Sequence, residues 1–302
     1  MQNRKAWFQG HSVGLDASKQ TAKEMIEKSH LDWKVSKENL FIKTSGGESR
    51  VFGKFAVVRE DTEESLGVVG NVYRPLQNTE AFSYFDAIVG TKEAKYVSAK
   101  SFDGGARVSL VAKLDGQIKV SDGDALDKYI ILNNSHDGSS AVSIQLLALR
   151  LICSNGMLGF RSQGIHRVRH TLSMGLGIQN VRQSIGLLNE QFDLIGLLSK
   201  KMLRTRFTGM EMKGYLEKIG LIPKQDPEKA MSTRAENIMS DVLFKYRHGV
   251  GAVPGTLWGA YNAVTEHLDW GGKINDKQTK SNLFGHGATV KTRALEYARK
   301  EV

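Results

Sequence analysis

Only one cysteine, Cys153, occurs in the 302 residues. A lone thiol excludes an intramolecular disulfide framework and a cysteine-rich zinc site, and it fits a reducing compartment better than a secreted life. The cytoplasm is therefore the expected location. No run approaches the roughly 20 apolar residues that span a bilayer, and the start, Met1 to Gly10, lacks the apolar core of a signal peptide. A soluble protein with no membrane partner is expected. The phosphate-cradling glycine loop is missing too, because Gly271-Gly272-Lys273 has neither the earlier glycine nor the following Ser or Thr of a Walker A element. Acidic residues do not pair in a metal-nuclease pattern. ATP hydrolysis and nuclease chemistry are both disfavoured, and no cofactor is expected. No internal repeat or low-complexity tract is visible. The 40% hydrophobic content is that of a globular chain long enough for one large or two medium domains.

What the chain does have is positive charge in one half. The formal net charge is +10, and residues 151 to 302 hold 22 Lys and Arg against 13 Asp and Glu. From Arg150 to Arg206 there are nine Lys or Arg (Arg150, Arg161, Arg167, Arg169, Arg182, Lys200, Lys201, Arg204, Arg206) against only Glu190 and Asp193. A polyanion is the simplest partner for such a stretch.

The hydrophobic pattern predicts an amphipathic helix over Ala17 to His30, with Ser18 as its cap. β-rich segments follow at Leu40 to Lys43, Lys54 to Arg59 and Leu66 to Tyr73, then a helix carrying Ala81, Phe82, Phe85, Ile88 and Val89 behind Pro75 and a Thr79 cap. A second β-rich stretch runs from Tyr96 to Leu114 around Asp103-Gly104-Gly105, and on through Tyr129 to Leu132 and Val142 to Ile152. Helical periodicity then dominates: Val181 to Met202, Met210 to Ile219, Ala230 to Tyr246, Trp258 to Leu268 and Ala288 to Lys300. The expected architecture is α+β. A mostly antiparallel sheet with packed helices (a helix-strand-strand-strand-helix core) fills residues 1–160, and a basic, mainly helical region of residues 161–302 packs on it.

Candidate chemistry sits in few places. Asn133 to Ser140 contains Ser, His and Asp together, but adjacent side chains cannot form a Ser-to-His-to-Asp relay, so a turn is the simpler reading. His166 and His170 stand four apart like a metal pair, yet lack a third ligand and sit among arginines; no metal is expected, and phosphate contact suits them better. Arg167 and Arg169 would share one face of a strand, at about 6 to 7 Å, with Val168 turned inward. Tyr73-Arg74, at the end of the third strand, can combine ring stacking with a phosphate contact. Trp258, Tyr261 and Trp270 lie among small residues that suit a packed core better than an open platform for bases.

Several segments together carry a likeness: Gly67-Val68-Val69-Gly70 running into Tyr73-Arg74-Pro75-Leu76-Gln77-Asn78, then Asn134 to Ser140, Cys153-Ser154-Asn155-Gly156, Arg169-His170-Thr171, and Pro254 to Glu266. In these the chain resembles, over nearly its whole length, a phage- and plasmid-related family of unknown function. That resemblance implies a home on a mobile element, where replication and recombination genes are frequent. The order helix, Trp33, three strands, helix is also similar to the core of single-strand annealing proteins, the superfamily of the eukaryotic annealing recombinase and the phage Red-beta and RecT proteins. This likeness implies rings or helical filaments, a basic groove for single-stranded DNA, and no nucleotide cofactor. The leading expectation is thus an ATP-independent single-stranded DNA binding and annealing protein, a homo-oligomer. Its expected contacts are Tyr73, Arg74, Arg150, Arg161, Arg167, Arg169, His170, Lys200, Lys201, Arg204 and Arg206. The alternatives are an interaction module docking on an acidic host protein, and an enzyme centred on Asn133 to Ser140.

Overall fold

The computed structural model describes residues 22–83, 94–158, 165–170, 185–226, 228–273 and 275–302. It is α+β, with two antiparallel sheets and a mainly helical second half. A short helix, α1 (Ala22–Lys28), buries Met25 and Ile26. Strands β1 (Val35–Thr44), β2 (Gly47–Arg59) and β3 (Glu64–Gly70) form a meander in that order, and helix α2 starts at residue 78 and is described to 83. The expected helix-strand-strand-strand-helix order is present. Ser18, Phe85, Ile88 and Val89 lie outside the described residues. Thr79 stands inside α2 rather than before it, and β3 ends at Gly70, which leaves Tyr73 and Arg74 in the following loop.

The larger sheet is built from β4 (Ala94–Phe102), β5 (Arg107–Ser121), β6 (Asp124–Ser135) and β7 (Val142–Arg150), each antiparallel to the last. Short strands β8 (Gly156–Leu158) and β9 (Ile165–Val168) both pair with β7, opposite its late and early residues respectively. Val108 to Ala112 of β5, Tyr129 to Ser135 of β6 and most of β7 are buried, on both faces of the sheet, while β5 opens to solvent at Asp115 to Gln117. Val108, Leu110, Leu132 and Leu146 belong to the main core, while Val111, Tyr129, Ile131, Leu147 and Leu149 pack behind the sheet against Leu283. Two-sided burial explains why these strands read as nearly unbroken apolar runs, where a one-sided antiparallel sheet would alternate.

The helices are α3 (Ile185–Arg204), α4 (Met212–Ile219), α5 (Thr233–His248), α6 (Leu257–Trp270), α7 (Asp276–Phe284) and α8 (His286–Glu301). Side chains set their starts: Ser232, Thr256 and Asn275 accept hydrogen bonds from Ala235, Gly259 and Gln278. Gly220, in the left-handed conformation, closes α4. The main core draws on both sides of residue 160, from Met25 to Ala298, so the two segments share one interior. Trp258 and Tyr261 stack within that interior, 6.1 Å apart, which makes them core residues.

Two buried ion pairs tie the sheet to α6 and α8. Arg150, only 2% exposed, donates from Nε and an η-nitrogen to Asp124 at 2.8 and 2.6 Å, and from its other η-nitrogen to the Gly251 carbonyl at 2.9 Å. Trp258 Nε1 donates to the same carboxylate at 3.0 Å. The second pair is Lys291 with Asp269, both fully buried, where Asp269 also accepts from Asn282 Nδ2 and the Gly156 amide. Burial pushes the Asp269 carboxyl up and the Lys291 amine down, and their mutual attraction opposes both shifts. Between the pairs, Asn155 donates to the Asn262 carbonyl and accepts from Trp270 Nε1.

A charge left alone in such a site is expensive. Lys291→Met should therefore destabilise the protein by about 3 to 5 kcal/mol, measured by urea denaturation. The double variant Asp269→Leu/Lys291→Met should recover part of the loss; no recovery would count against the paired-charge account.

Candidate nucleic-acid interface

The β6–β7 hairpin meets the small meander at one end of the large sheet, and glycine decides how closely. A Cβ on Gly67 would lie 2.6 Å from the Asp137 Cα, and one on Gly138 would lie 2.9 Å from Val69 Cγ1. Gly138 also sits at φ 72°, in the left-handed region. Asn134 Nδ2 donates to the Leu76 carbonyl at 3.0 Å, Asn78 Nδ2 donates to the Leu31 carbonyl at 3.0 Å, and Asn78 Oδ1 stands 3.0 Å from His136 Nε2. Trp33 meets His136 edge-on, with 5.3 Å between ring centres, and carries the Arg59 guanidinium over its face.

Ser135, His136 and Asp137 are thereby pulled apart in direction. Ser135 Oγ donates to Asp137 Oδ1 at 2.5 Å, while His136 is fully buried against Asn78 and Asn134. Burial alone would raise the Asp137 carboxyl. Hydrogen bonds from Ser135 and Ser139, with Arg107 nearby, outweigh it and hold the group below its usual range. No Ser-to-His contact exists in this turn, so it is a structural joint and not a hydrolytic relay. Among the described residues no three of His, Cys, Asp or Glu cluster to hold a metal ion.

Beside the joint lies a cleft of about 480 Å³, lined by Val68, Val72, Tyr73, Ser139, Arg169 and His170 among others. Tyr73 and His170 stack at 4.8 Å, nearly parallel, and the Tyr73 hydroxyl donates to the Ser135 carbonyl at 2.7 Å. The Arg74 amide donates to the His170 carbonyl at 2.9 Å, which fixes the loop after β3 to the segment after β9. Arg74 and Arg169 are exposed, and no carboxylate among the described residues pairs with either. Lys37 Nζ donates to the Asn71 and Tyr73 carbonyls and lies over the Phe55 ring. Burial, and then the Arg74 charge, lower its amine. Like charges drawn together without a counter-charge suit an anion.

The expected contacts divide into two groups. Tyr73, Arg74, Arg169 and His170 gather at the hairpin end, where the backbone of Arg167 in β9 also lies, opposite Ser143 of β7; the Arg167 side chain and all of Arg161 lie outside the described residues. Lys200, Lys201, Arg204 and Arg206 are exposed at the end of α3. Backbone bonds join Phe207 to Gly255 and Leu257 to Thr205, next to the Trp258 that reaches Asp124. Asp124 and Ser135 begin and end β6, so at about 3.3 Å per residue the groups sit at opposite ends of a strand roughly 36 Å long. Arg150 belongs to neither. The expectation that it contacts phosphate is corrected by its burial, since its donors are taken up by Asp124 and Gly251. His170, 5% exposed, contributes as a ring beneath Tyr73, with neither nitrogen hydrogen-bonded.

Sequence reasoning missed Lys37, whose role depends on a strand pairing that brings it to the Tyr73 loop. It also missed Met210, Phe244, Arg247 and His248 at the far end. A Cβ on Gly209 would lie 3.8 Å from an Arg247 η-nitrogen, and Phe244, 62% exposed, rests on His248 at 5.3 Å. An exposed Phe four residues before a His on a helix was a legible signal for that pair.

The buried imidazoles make the joint sensitive to acid. Burial holds His136 and His170 at about 4, against 6.5 for a free histidine. The unfolded chain therefore binds more protons between those values, and stability that is whole above pH 6.5 is lost as pH falls toward 4. At pH 5 the loss should be about 2 kcal/mol for each histidine, read as a lower urea midpoint than at pH 7.5. His170→Phe, which keeps the ring, should remove its share of the slope; an unchanged slope would contradict the assignment.

No curated protein and no solved structure matches the chain. A family model does, across both ends of the large sheet and the helices tied to it. It spans residues 65–295, and the chain therefore belongs to DUF932, a domain of unknown function.

Proposed function

We propose that the protein is an ATP-independent single-stranded DNA-binding protein of a phage or plasmid, acting in recombination or replication by pairing complementary strands. The observation that carries this reading is the hairpin-end cleft. Two exposed guanidiniums, Arg74 and Arg169, flank a stacked Tyr73–His170 pair, with no carboxylate among the described residues to answer them. Cations that neutralise phosphates release counterions and give affinity without sequence reading, while rings hold bases by stacking.

At the far group, Arg247, on the helix that carries the Phe244–His248 pair, lies by Gly209, and Phe207, next to Arg206, meets Tyr246 of the same helix. The cations expected along one continuous groove fall instead into two regions at opposite ends of β6, so the reading rests on the hairpin-end cleft and not on a single channel. The helix-strand-strand-strand-helix order of the first half is the order expected of an annealing-protein core.

Binding of a fluorescent oligonucleotide should weaken steeply with salt. Arg74→Glu/Arg169→Glu should lower affinity at least tenfold and flatten the plot of log K against log salt by about 0.7 per lost phosphate contact. The same variant should slow the pairing of complementary strands in a quenching assay. Salt-insensitive binding, or wild-type affinity in the reversed variant, would overturn the proposal.

A further inference from the structure

The β1–β2 hairpin runs on past β3 as a two-stranded ribbon. β3 pairs with β2 only from Lys54 to Arg59, while β1 and β2 stay paired out to Thr44 and Gly47. Nothing between Glu38 and Lys54 is buried. Yet the ribbon is apolar on both faces. Phe41 stands opposite Arg50, whose guanidinium lies over Phe52, and Phe52 is 84% exposed; Ile42 and Val51 share the other face. A two-stranded ribbon is marginally stable alone, and large side chains left in water on both its faces mark a surface that something covers.

Charge says what covers it. The ribbon end carries Lys43 and Arg50 against Glu48, whereas the opposite end of the same meander carries Glu60, Asp61, Glu63 and Glu64 around Arg59. Asp61 answers Arg59 at 2.7 Å, which leaves the turn with an acidic excess. Glu63 sits at φ 57°, a left-handed conformation in which glycine would be relaxed, so a carboxylate is kept there at a backbone cost. The two ends cannot meet within one molecule, because β2 has 13 residues and spans roughly 40 Å at about 3.3 Å per residue.

We infer that the β1–β2 ribbon docks on the acidic β2–β3 turn of a second copy of the chain, a head-to-tail contact that propagates into a ring or filament. The ribbon of each copy meets the turn of the next, so the interface is heterologous and every copy has one of each. Its apolar side chains supply the buried area, and the opposed charges set direction and register. This contact does not depend on the nucleic-acid reading.

Light scattering of the full chain, with oligonucleotide binding measured in parallel, tests it. At low salt the mass should be at least twice 33.4 kDa and should fall toward 33.4 kDa as salt rises. Phe41→Ser/Phe52→Ser, Lys43→Glu/Arg50→Glu and Glu60→Lys/Glu63→Lys should each give folded monomers by circular dichroism. An equimolar mixture of the last two should assemble again with the two variants in equal amount, because the reversed ribbon of one fits the reversed turn of the other and the unreversed ribbon fits the unreversed turn. A wild-type monomer at low salt, or variants that stay assembled, would overturn the inference. So would a monomeric wild type whose ribbon variants lose only oligonucleotide binding, since nucleic acid would then be the occupant. Mixing the two charge variants is the arm that a misfolded variant could not imitate.

Discussion

Burial of the central strands on both faces governs where this protein can carry polar chemistry. β5, β6 and β7 have main-core residues on one side and the cluster around Leu283 on the other, so polar groups inside the sheet would need partners there. They are concentrated at the strand ends. At one end Asp124 and Arg150 form a desolvated pair completed by Trp258 and Gly251, and at the other Asn134 and His136 interlock with Asn78 and the Leu76 carbonyl. Both arrangements join separate parts of the chain. One fixes helix α6 to the sheet, and the other fixes the meander.

The segments that carry the family likeness are the two halves of these joints. Gly67 to Asn78 meets Asn134 to Gly138, with Gly67 and Gly138 permitting an approach that any side chain would block. Asn155 and Gly156 meet the helix opened by Thr256, through Asn262, Asp269 and Trp270. Within that second contact Gly259 has no room for a side chain, since a Cβ would lie 2.1 Å from the Val253 carbonyl oxygen. These segments therefore account for how the two sheets and the helices are assembled.

Much of the fold was legible because periodicity is local. The three-strand meander and the helices from α3 to α6, with α8, follow from apolar spacing and caps. Helix α7 was missed because its buried positions, Thr279, Asn282 and Leu283, include two polar residues, although Asn275 was available as its cap. Asn133 to Ser135 read as a turn and are strand, since a strand buried on both faces gives no alternation to follow and its polar end looks like a loop. The site was less legible than the fold. Arg150 lies among leucines, which signalled burial, but its partner is 26 residues earlier and no local spacing reveals it. Arg169 and Lys200 are near in sequence, yet the architecture sends them to opposite ends of β6.

Pairing separates the cations into two kinds. Inside, each positive group is matched: Arg150 by Asp124, Lys291 by Asp269, with helix α7 held at its rim by Lys100 to Asp276 and Lys280 to Asp103. Such pairs contribute specificity of assembly more than net stability, because desolvation offsets most of the attraction. On the surface the opposite holds at Arg74, Arg169, Lys200, Lys201 and Arg204, which have no ion-pair partner among the described residues. Unanswered charges raise the self-repulsion of the folded state, which a bound polyanion would relieve. The excess of +10 is thus not spread evenly over the molecule. Part of it stands where a joint leaves side chains free, at Arg74 and Arg169 beside the Tyr73–His170 stack.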